Sequence, residues 1–416
     1  MTPGNVLGRI SVSQMNRRRA LQLLAALGTT ALAAGCGDDD DAASTSDGSP
    51  IKIGLIAPEN GPGKTIGQDI INGFQLYLTL NGQRLGGHPV NLLTADEGSS
   101  EKTGQAAVDQ LLAQGVLALT GVVNPAVMTT VRDTVEKARV PLIGSNGSPT
   151  SLQSVVYIWR TSYVLDEPGR ALGAYLKQTL AADKRIAIIA PDDAPSQDVV
   201  QGFRQVLGAD DPRILGEPIW TDKTPTPNSS TYRYDIRQML GRKPNAVFCF
   251  FAGPAAVQFI RQLREEGWRG PVYAPGFLTE GTVLDELRSR LVNDDDKLQP
   301  GTIHTALNYS ADLTNLANRT FASAYRKTFN VSPTTYAMAS YDAAQVLDKA
   351  IELAGPSPTS QGVNLAIGKI GQIDSPRGTW QFNQPRTPQQ KWYLRKVQLD
   401  GRLLSNVLIN EIATLG

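Results

Sequence analysis

The sequence predicts an α/β fold built as two Rossmann-like lobes, each with a parallel central sheet and helices on both faces. Short apolar runs closed by glycine or proline alternate with segments of helical period, the pattern of β-α-β units. The alternation runs through twice, in series of about 110–130 residues, each the size of one domain. Of 416 residues 41% are apolar, enough for two cores rather than one large one. With 40 Lys+Arg against 39 Asp+Glu there is no basic excess to coat nucleic acid. Two cysteines make no disulfide scaffold, and two histidines give little scope for a histidine metal site.

The first 50 residues stand apart. Asn16-Arg17-Arg18-Arg19 precedes an apolar run from Ala20 to Ala34 and then Gly35-Cys36, the layout of an export signal. The run is shorter than the roughly 20 residues of a membrane-spanning helix. Arg17-Arg18 resembles a twin-arginine signal, and that route and the general secretory route both stay open. Ala33-Ala34-Gly35-Cys36 resembles the lipobox of bacterial lipoproteins, which implies that Cys36 is acylated and anchors the mature chain to the cell membrane on its outer side. Met15 is an alternative start, since residues 1–14 have no clear role. Residues 37–50, an acidic and Ser-rich stretch, bury too little to order themselves and are expected to be a solvated tether. Without residues 1–35 the chain carries 36 basic and 39 acidic residues, a net −3.

The first series begins at Ile51. Ile51–Ile56 reads as a buried strand ending at Pro58 and Gly61. Ile70, Phe74 and Tyr77/Leu78 mark a helical face, and Asn81-Gly82 and Gly86-Gly87 punctuate before a strand at Val90–Thr94. A helix over 105–114 stops at Gly115, and strand 116–120 follows. Val127, Val131, Val135 and Ala138 line a helix broken before Pro141, followed by strands at Leu142-Ile143 and Val155–Trp159.

The second series begins near Asp166. Strands are expected at Arg185–Ala190, Ile214–Trp220, Ala246–Phe251, Pro271–Pro275 and Thr302–Leu307. Val199, Phe203 and Val206 line one helix and Val257, Ile260 and Leu263 another, while Pro, Thr and Ser make 222–230 a loop. Gly378–Phe382 and Trp392–Gln398, around Asp400-Gly401, read as antiparallel strands. Cys249 is expected to be a small buried side chain, and Trp380 and Trp392 to fill core.

In open α/β sheets ligands bind beyond the carboxyl ends of the strands. Two facing lobes therefore place a cleft among loops 58–67, 96–100, 122–127 and 144–149 of the first and 191–198, 251–254 and 275–280 of the second. Backbone N–H groups at the helix starts there suit a ligand carboxylate. Gly61-Pro62-Gly63-Lys64-Thr65 ends like a phosphate loop but has Pro58 where the pattern needs glycine. No Gly-x-Ser-x-Gly elbow exists; His88 reads as a surface turn and His304 as a strand residue, neither beside a nucleophile. No enzyme activity, cofactor or metal site is expected.

Several of these segments carry a resemblance. Ile51–Gly67, Asn72-Gly73, Asn81-Gly82, Gly86-Gly87, Asp96, Gly121, Val140–Ile143, Arg160-Thr161 with Asp166, Arg185–Ile189, Pro244–Phe248, Arg261-Gln262 and Ala339–Ala343 follow in order. Together they resemble the Leu/Ile/Val-binding family, the type I periplasmic binding proteins that serve ABC transporters. The resemblance implies two lobes joined by a three-segment hinge around a ligand cleft. Lobe 1 would comprise 51–164 and 304–375, and lobe 2 would comprise 165–303 and 376–416. The implied function is capture of a small metabolite by lobe closure and delivery to the permease subunits of an importer, without chemistry on the ligand. The alternative is a lipoprotein that uses the same clamp to sense a ligand or bind a partner.

Carried over residue by residue, the resemblance puts the hydroxyl and backbone that grip a ligand on Ser148, after Asn146-Gly147. The second gripping serine falls on Pro125, beside Asn124, and the aromatic wall of the first loop, which also holds Asn60, falls on Ile66. The second lobe's tyrosine falls on Pro195, and the acid that pairs a ligand ammonium falls near Gly276. Tyr163, Phe251 and Phe277 are candidate walls, with core packing as the ordinary alternative. Asp166 is read as a helix cap and Tyr341-Asp342 as a lock of lobe packing. Pro125 offers neither hydroxyl nor N–H, and Glu280 is the nearest acid to Gly276. The ligand therefore stays open among amino acids, amides and related small organic molecules, because a buried ammonium without a partner is costly.

Overall fold

A computed structural model describes residues 50–222, 231–290, 298–401 and 403–416. The export signal, the lipobox with Cys36, the tether to residue 49 and most of the loop at 222–230 lie outside the described residues.

The apolar runs assemble into two sheets. The first takes β1 (Ile51–Ala57), β2 (Arg84–Leu85), β3 (His88–Asp96), β4 (Ala118–Gly121), β5 (Leu142–Gly144) and β6 (Ile158–Arg160), in the order β2-β3-β1-β4-β5-β6. All its pairs are parallel except the β2–β3 hairpin. His88 is a buried strand residue there, correcting the surface-turn expectation. Gly86 and Gly87, at φ 55° and 80°, make the turn themselves and set His88 opposite Leu85.

The second sheet takes β7 (Ile186–Pro191), β8 (Ile219–Thr221), β9 (Ala246–Cys249), β10 (Val272–Pro275), β11 (Ile303–Leu307), β12 (Gln381–Phe382), β13 (Pro388–Asp400) and β14 (Leu403–Leu415). Its order is β12-β13-β11-β10-β9-β7-β8, with β14 on β13. The β7 to β11 pairs are parallel, and β12, β13 and β14 join antiparallel. The strand expected over Ile214–Trp220 contracts to β8 plus one bridge from Ile214 to Ile186, because Gly216, at φ 65°, and Pro218 interrupt it.

Since β11 pairs with β10 and β13, residues 304–307 belong to the second sheet, and the chain crosses after Leu307 rather than at 304. The first crossing follows β6, and the third precedes β13. Helix Thr335–Ala354 returns to pack on helix Lys64–Leu80. The two approach so closely that a Cβ on Gly73 would lie 2.0 Å from the Ala337 carbonyl oxygen.

Strand alternation sorts the side chains by face. Ile53 and Leu55 of the first sheet and Ile186 and Ile188 of the second join one buried cluster with Tyr163, Phe277, Trp380 and Trp392. Ile56, Leu119 and Leu142 fill the first sheet's outer face, and Ile189, Val247 and Cys249 the second's. The third crossing is pinned by Arg377, whose Nε and Nη2 donate to Asp342 Oδ2 at 3.0 and 2.6 Å. Ser375 and Trp380 donate to the same oxygen, so Asp342 does fasten the returning segment to helix Thr335–Ala354.

Candidate functional site at the lobe junction

The loops beyond the first sheet are held mostly by their own side chains. Asn60 is exposed and precedes the short Gly61–Gly63 turn, with Nδ2 3.4 Å from Asp96 Oδ2. Asp96 accepts from the Glu59 and Gly98 N–H groups, both at 2.9 Å, which hold its carboxyl below the usual range. Ile66 is half-buried in the first turn of helix Lys64–Leu80 and packs on the central core.

Glu97, unremarked in the sequence beyond its place in a strand-end loop, is the buried acid of this end. Its two oxygens accept from the Val123 and Asn124 N–H groups at 2.7 Å each, and burial pushes its pKa up to about 7. The loop N–H groups that looked suited to a ligand carboxylate are thus taken by the protein's own. Asn124 Oδ1 caps helix Pro125–Thr130 by accepting from Ala126 N–H, and Pro125 fills its first turn, where a missing N–H costs nothing.

The next loop belongs to the hinge. Asn146 Nδ2 donates to the Val123 carbonyl at 2.7 Å, and a Cβ on Gly147 would meet Leu165 at 2.9 Å. Ser148 is fully buried, bridges Val164, and its Oγ accepts from Arg160 Nε at 2.9 Å. Arg160 also donates to the Pro385 and Leu152 carbonyls, and burial lowers its pKa to about 10. The hydroxyl expected on a ligand therefore serves a buried hinge arginine. Asp166 stands before helix Glu167–Thr179 without a side-chain cap bond and lies 3.6 Å from Arg170 instead. A cavity of about 620 Å³ opens behind the hinge between Thr150, Arg160, Asp166 and Asn383.

The residues that do converge lie where the crossings meet the second sheet's strand ends. The Tyr163 ring is 5.9 Å from Phe277 and 5.1 Å from Trp392. Phe277 in turn lies 5.9 Å from both Phe250 and Tyr336, the latter pair nearly parallel at 18°. Phe251, a candidate wall, is instead core: it stacks on Phe259 at 4.1 Å in the outer cluster of the second sheet. Alternation along β9 explains this, since Phe248 and Phe250 share the inner face and Cys249 and Phe251 the outer.

Polar groups gather beside these rings. Glu280 is buried; its Oε1 accepts from the Thr335 N–H at 2.9 Å and its Oε2 lies 2.8 Å from Arg395 Nη2. The carboxylate thus sits at the positive end of helix Thr335–Ala354. Gly276 is buried where a Cβ would lie 2.7 Å from Leu307 and 2.9 Å from Arg395 Nη2, so any side chain there has to displace the ends of both. Thr305 pairs with Arg395 across β11 and β13 on the outer face of the second sheet, the face of Ile303 and Val397, opposite Ala306 and Leu394. Tyr163 Oη, Thr305 Oγ1 and Arg395 Nε are buried with no hydrogen-bond partner. Arg395 and Tyr336 had no signal in the sequence, because strand pairing and a returning helix bring them in.

Comparison with known proteins agrees with this arrangement. The periplasmic binding protein family profile matches residues 50–402. The chain is 22% identical over 373 residues to a Leu/Ile/Val-binding protein homolog of Brucella melitensis, covering 86% of this chain and 90% of that one. Its fold is similar to that of an R. palustris ABC-transporter solute-binding protein in complex with benzoate, with TM-score 0.75, 24% identity, and 88% and 97% of the two chains covered. A second, from Rhodopseudomonas palustris BisB5 in complex with 3,4-dihydroxybenzoic acid, gives TM-score 0.76 at 23% identity, covering 88% and 98%. The paired sheets, the three crossings and the match across nearly all described residues place the chain in the periplasmic binding protein family, whose members bind solutes for ABC transporters and are not enzymes.

Proposed function

We propose that this chain is the extracytoplasmic solute-binding lipoprotein of an ABC importer, capturing a small organic molecule at the lobe junction and handing it to a membrane permease. The observation that carries this reading is that Tyr163 of the first crossing, Phe277 of the second lobe and Tyr336 of the returning helix meet in one ring cluster, in which the Tyr163 hydroxyl is buried without a partner. A solute touching all three is bound fully only when the lobes are together, so binding favours closure. Tyr163, Phe277 and Gly276 are the sequence candidates we place at the ligand. Asn60, Ile66, Asn124, Pro125, Asn146, Gly147 and Ser148 would shape the rim and hinge. In our reading the first lobe ends near Val164 and the second takes over from Leu165, with the returning crossing after Leu307.

A thermal-shift screen of amino acids, amides and aromatic acids tests capture, since a ligand specific to the folded chain raises Tm. Deleting the gene should abolish uptake of the solute so identified. Loss of a response with uptake intact would assign the clamp to sensing instead. Anchoring at Cys36 is tested by detergent-phase partitioning, which a Cys36→Ser substitution should move to the aqueous phase.

A further inference from the structure

The chain's own polar groups also bridge the loops of the two sheets. Thr150 lies in the loop between β5 and β6 of the first sheet, and Asp198 in helix Ala194–Leu207, which follows β7 of the second. The Thr150 N–H donates to Asp198 Oδ2 at 3.0 Å, and the Thr150 hydroxyl donates to Oδ1 at 2.5 Å. Both residues are half-buried, so water competes for these bonds only in part.

Each partner is held firmly by its own side. Arg160, at the end of β6, donates to Ser148 Oγ and to the Leu152 carbonyl, which pins the loop before and after Thr150. Asp193 caps the second-lobe helix by accepting from the Ser196 N–H at 2.8 Å, so Asp198, further along, is not needed as a cap. Among the described residues the Asp198 side chain makes no hydrogen bond or ion pair other than those to Thr150. Burial, and to a smaller extent the charge of Asp198, push up the neighbouring Asp166 carboxyl. A carboxylate that repels an acid of its own lobe and takes two donors from the other is a tie between lobes rather than a brace within one.

We propose that Asp198 is a positioning residue for capture: with Thr150 it latches the lobes before any solute arrives, so a solute meets a clamp already biased toward closure. This rests on the reading above that capture closes the lobes. A pair of bonds to an ionised carboxylate shifts the closed-to-open ratio about tenfold. A solute that needs the closed state binds in proportion to its population, so the same factor bounds the gain in affinity. Small-angle scattering of the mature chain without solute tests the latch. Asp198→Ala should have a larger radius of gyration than the parent, with Tm within about 2 °C of it. Thr150→Val, which keeps the N–H bond, should move the profile part of the way and add nothing on the Asp198→Ala background. Calorimetric titration with benzoate and with L-leucine gives a second reading: whichever binds should bind up to about tenfold more weakly to Asp198→Ala. Superimposable solute-free profiles of the parent and Asp198→Ala overturn the latch. So do additive effects of the two substitutions, or a fall in Tm with the profile unchanged, which would make Asp198 a brace. Absence of binding by any solute removes the capture reading and leaves the solute-free scattering to decide the latch.

Discussion

Replacing Arg377 by methionine is the sharpest probe of how the lobes are held. Its guanidinium reaches three parts of the chain at once: Asp342 on the first lobe's helix, the Thr161 carbonyl on the first crossing, and Gln390 on β13. It also lies 4.8 Å from the Trp380 ring. Both partners of the ion pair are almost wholly buried, at 1% and 0% side-chain exposure, so removing the cation strands a carboxylate away from water. Breaking such a pair costs about 3–5 kcal/mol. For about 370 folded residues, with about 2.1 cal/mol/K of unfolding entropy each, that lowers Tm by about 4–6 °C. The double variant Arg377→Met with Asp342→Leu should recover most of the loss, since an apolar replacement of the whole pair is often neutral. Differential scanning calorimetry of the mature chain reads both. A single variant within about 1 °C of the parent, or a double variant worse than the single, would refute the assignment of this pair as a buried tie across the hinge.

Phe251→Ala should destabilise by about 3–5 kcal/mol as a core truncation, whereas Phe250→Ala should cost less stability and weaken solute binding; denaturation and calorimetry separate the two. Gly73→Ala should destabilise by about 1–3 kcal/mol or more, because its Cβ would collide with the Ala337 carbonyl, as a urea midpoint would register. Burial pushes Glu97 and Glu167 up to about 7 and Asp69 to about 6, from unfolded values of 4.5 and 3.8. The folded chain then binds more protons than the unfolded one between those values, so stability should fall as pH rises from about 4 to 7 and level off above. In urea midpoints measured across that range, Glu97→Gln should flatten part of the fall; a rise in stability over the same window contradicts the assignment.

The architecture was legible because strand and helix periods differ and glycine and proline mark their ends. The two alternating series reappear as the two sheets. What did not carry over depended on contacts distant in sequence. The crossing at 304 moved to follow Leu307 because β13 pairs with β11, a partnership no local pattern encodes. Tyr163 and Phe277 were accessible as aromatics at strand-end positions, but choosing between Phe250 and Phe251 needed the face of β9 that meets the junction. Ser148 matched a gripping position by order in the chain, yet Arg160, a buried cation, draws its hydroxyl inward as an acceptor for Nε. The signal for Glu97 was its place as the second of two consecutive acids at a strand end, where the Val123 and Asn124 N–H groups stand within reach. His88 departs from the expected surface turn because Gly86-Gly87 complete the hairpin by themselves and leave His88 to open the strand opposite Leu85.

Small-angle X-ray scattering of the mature chain, alone and with the solute giving the largest thermal shift, addresses the account most directly. Capture between two lobes predicts a smaller radius of gyration with saturating solute, and a smaller change for a variant with Tyr163 and Phe277 both replaced by alanine. An identical profile with and without solute at confirmed saturation would contradict closure as the mode of binding.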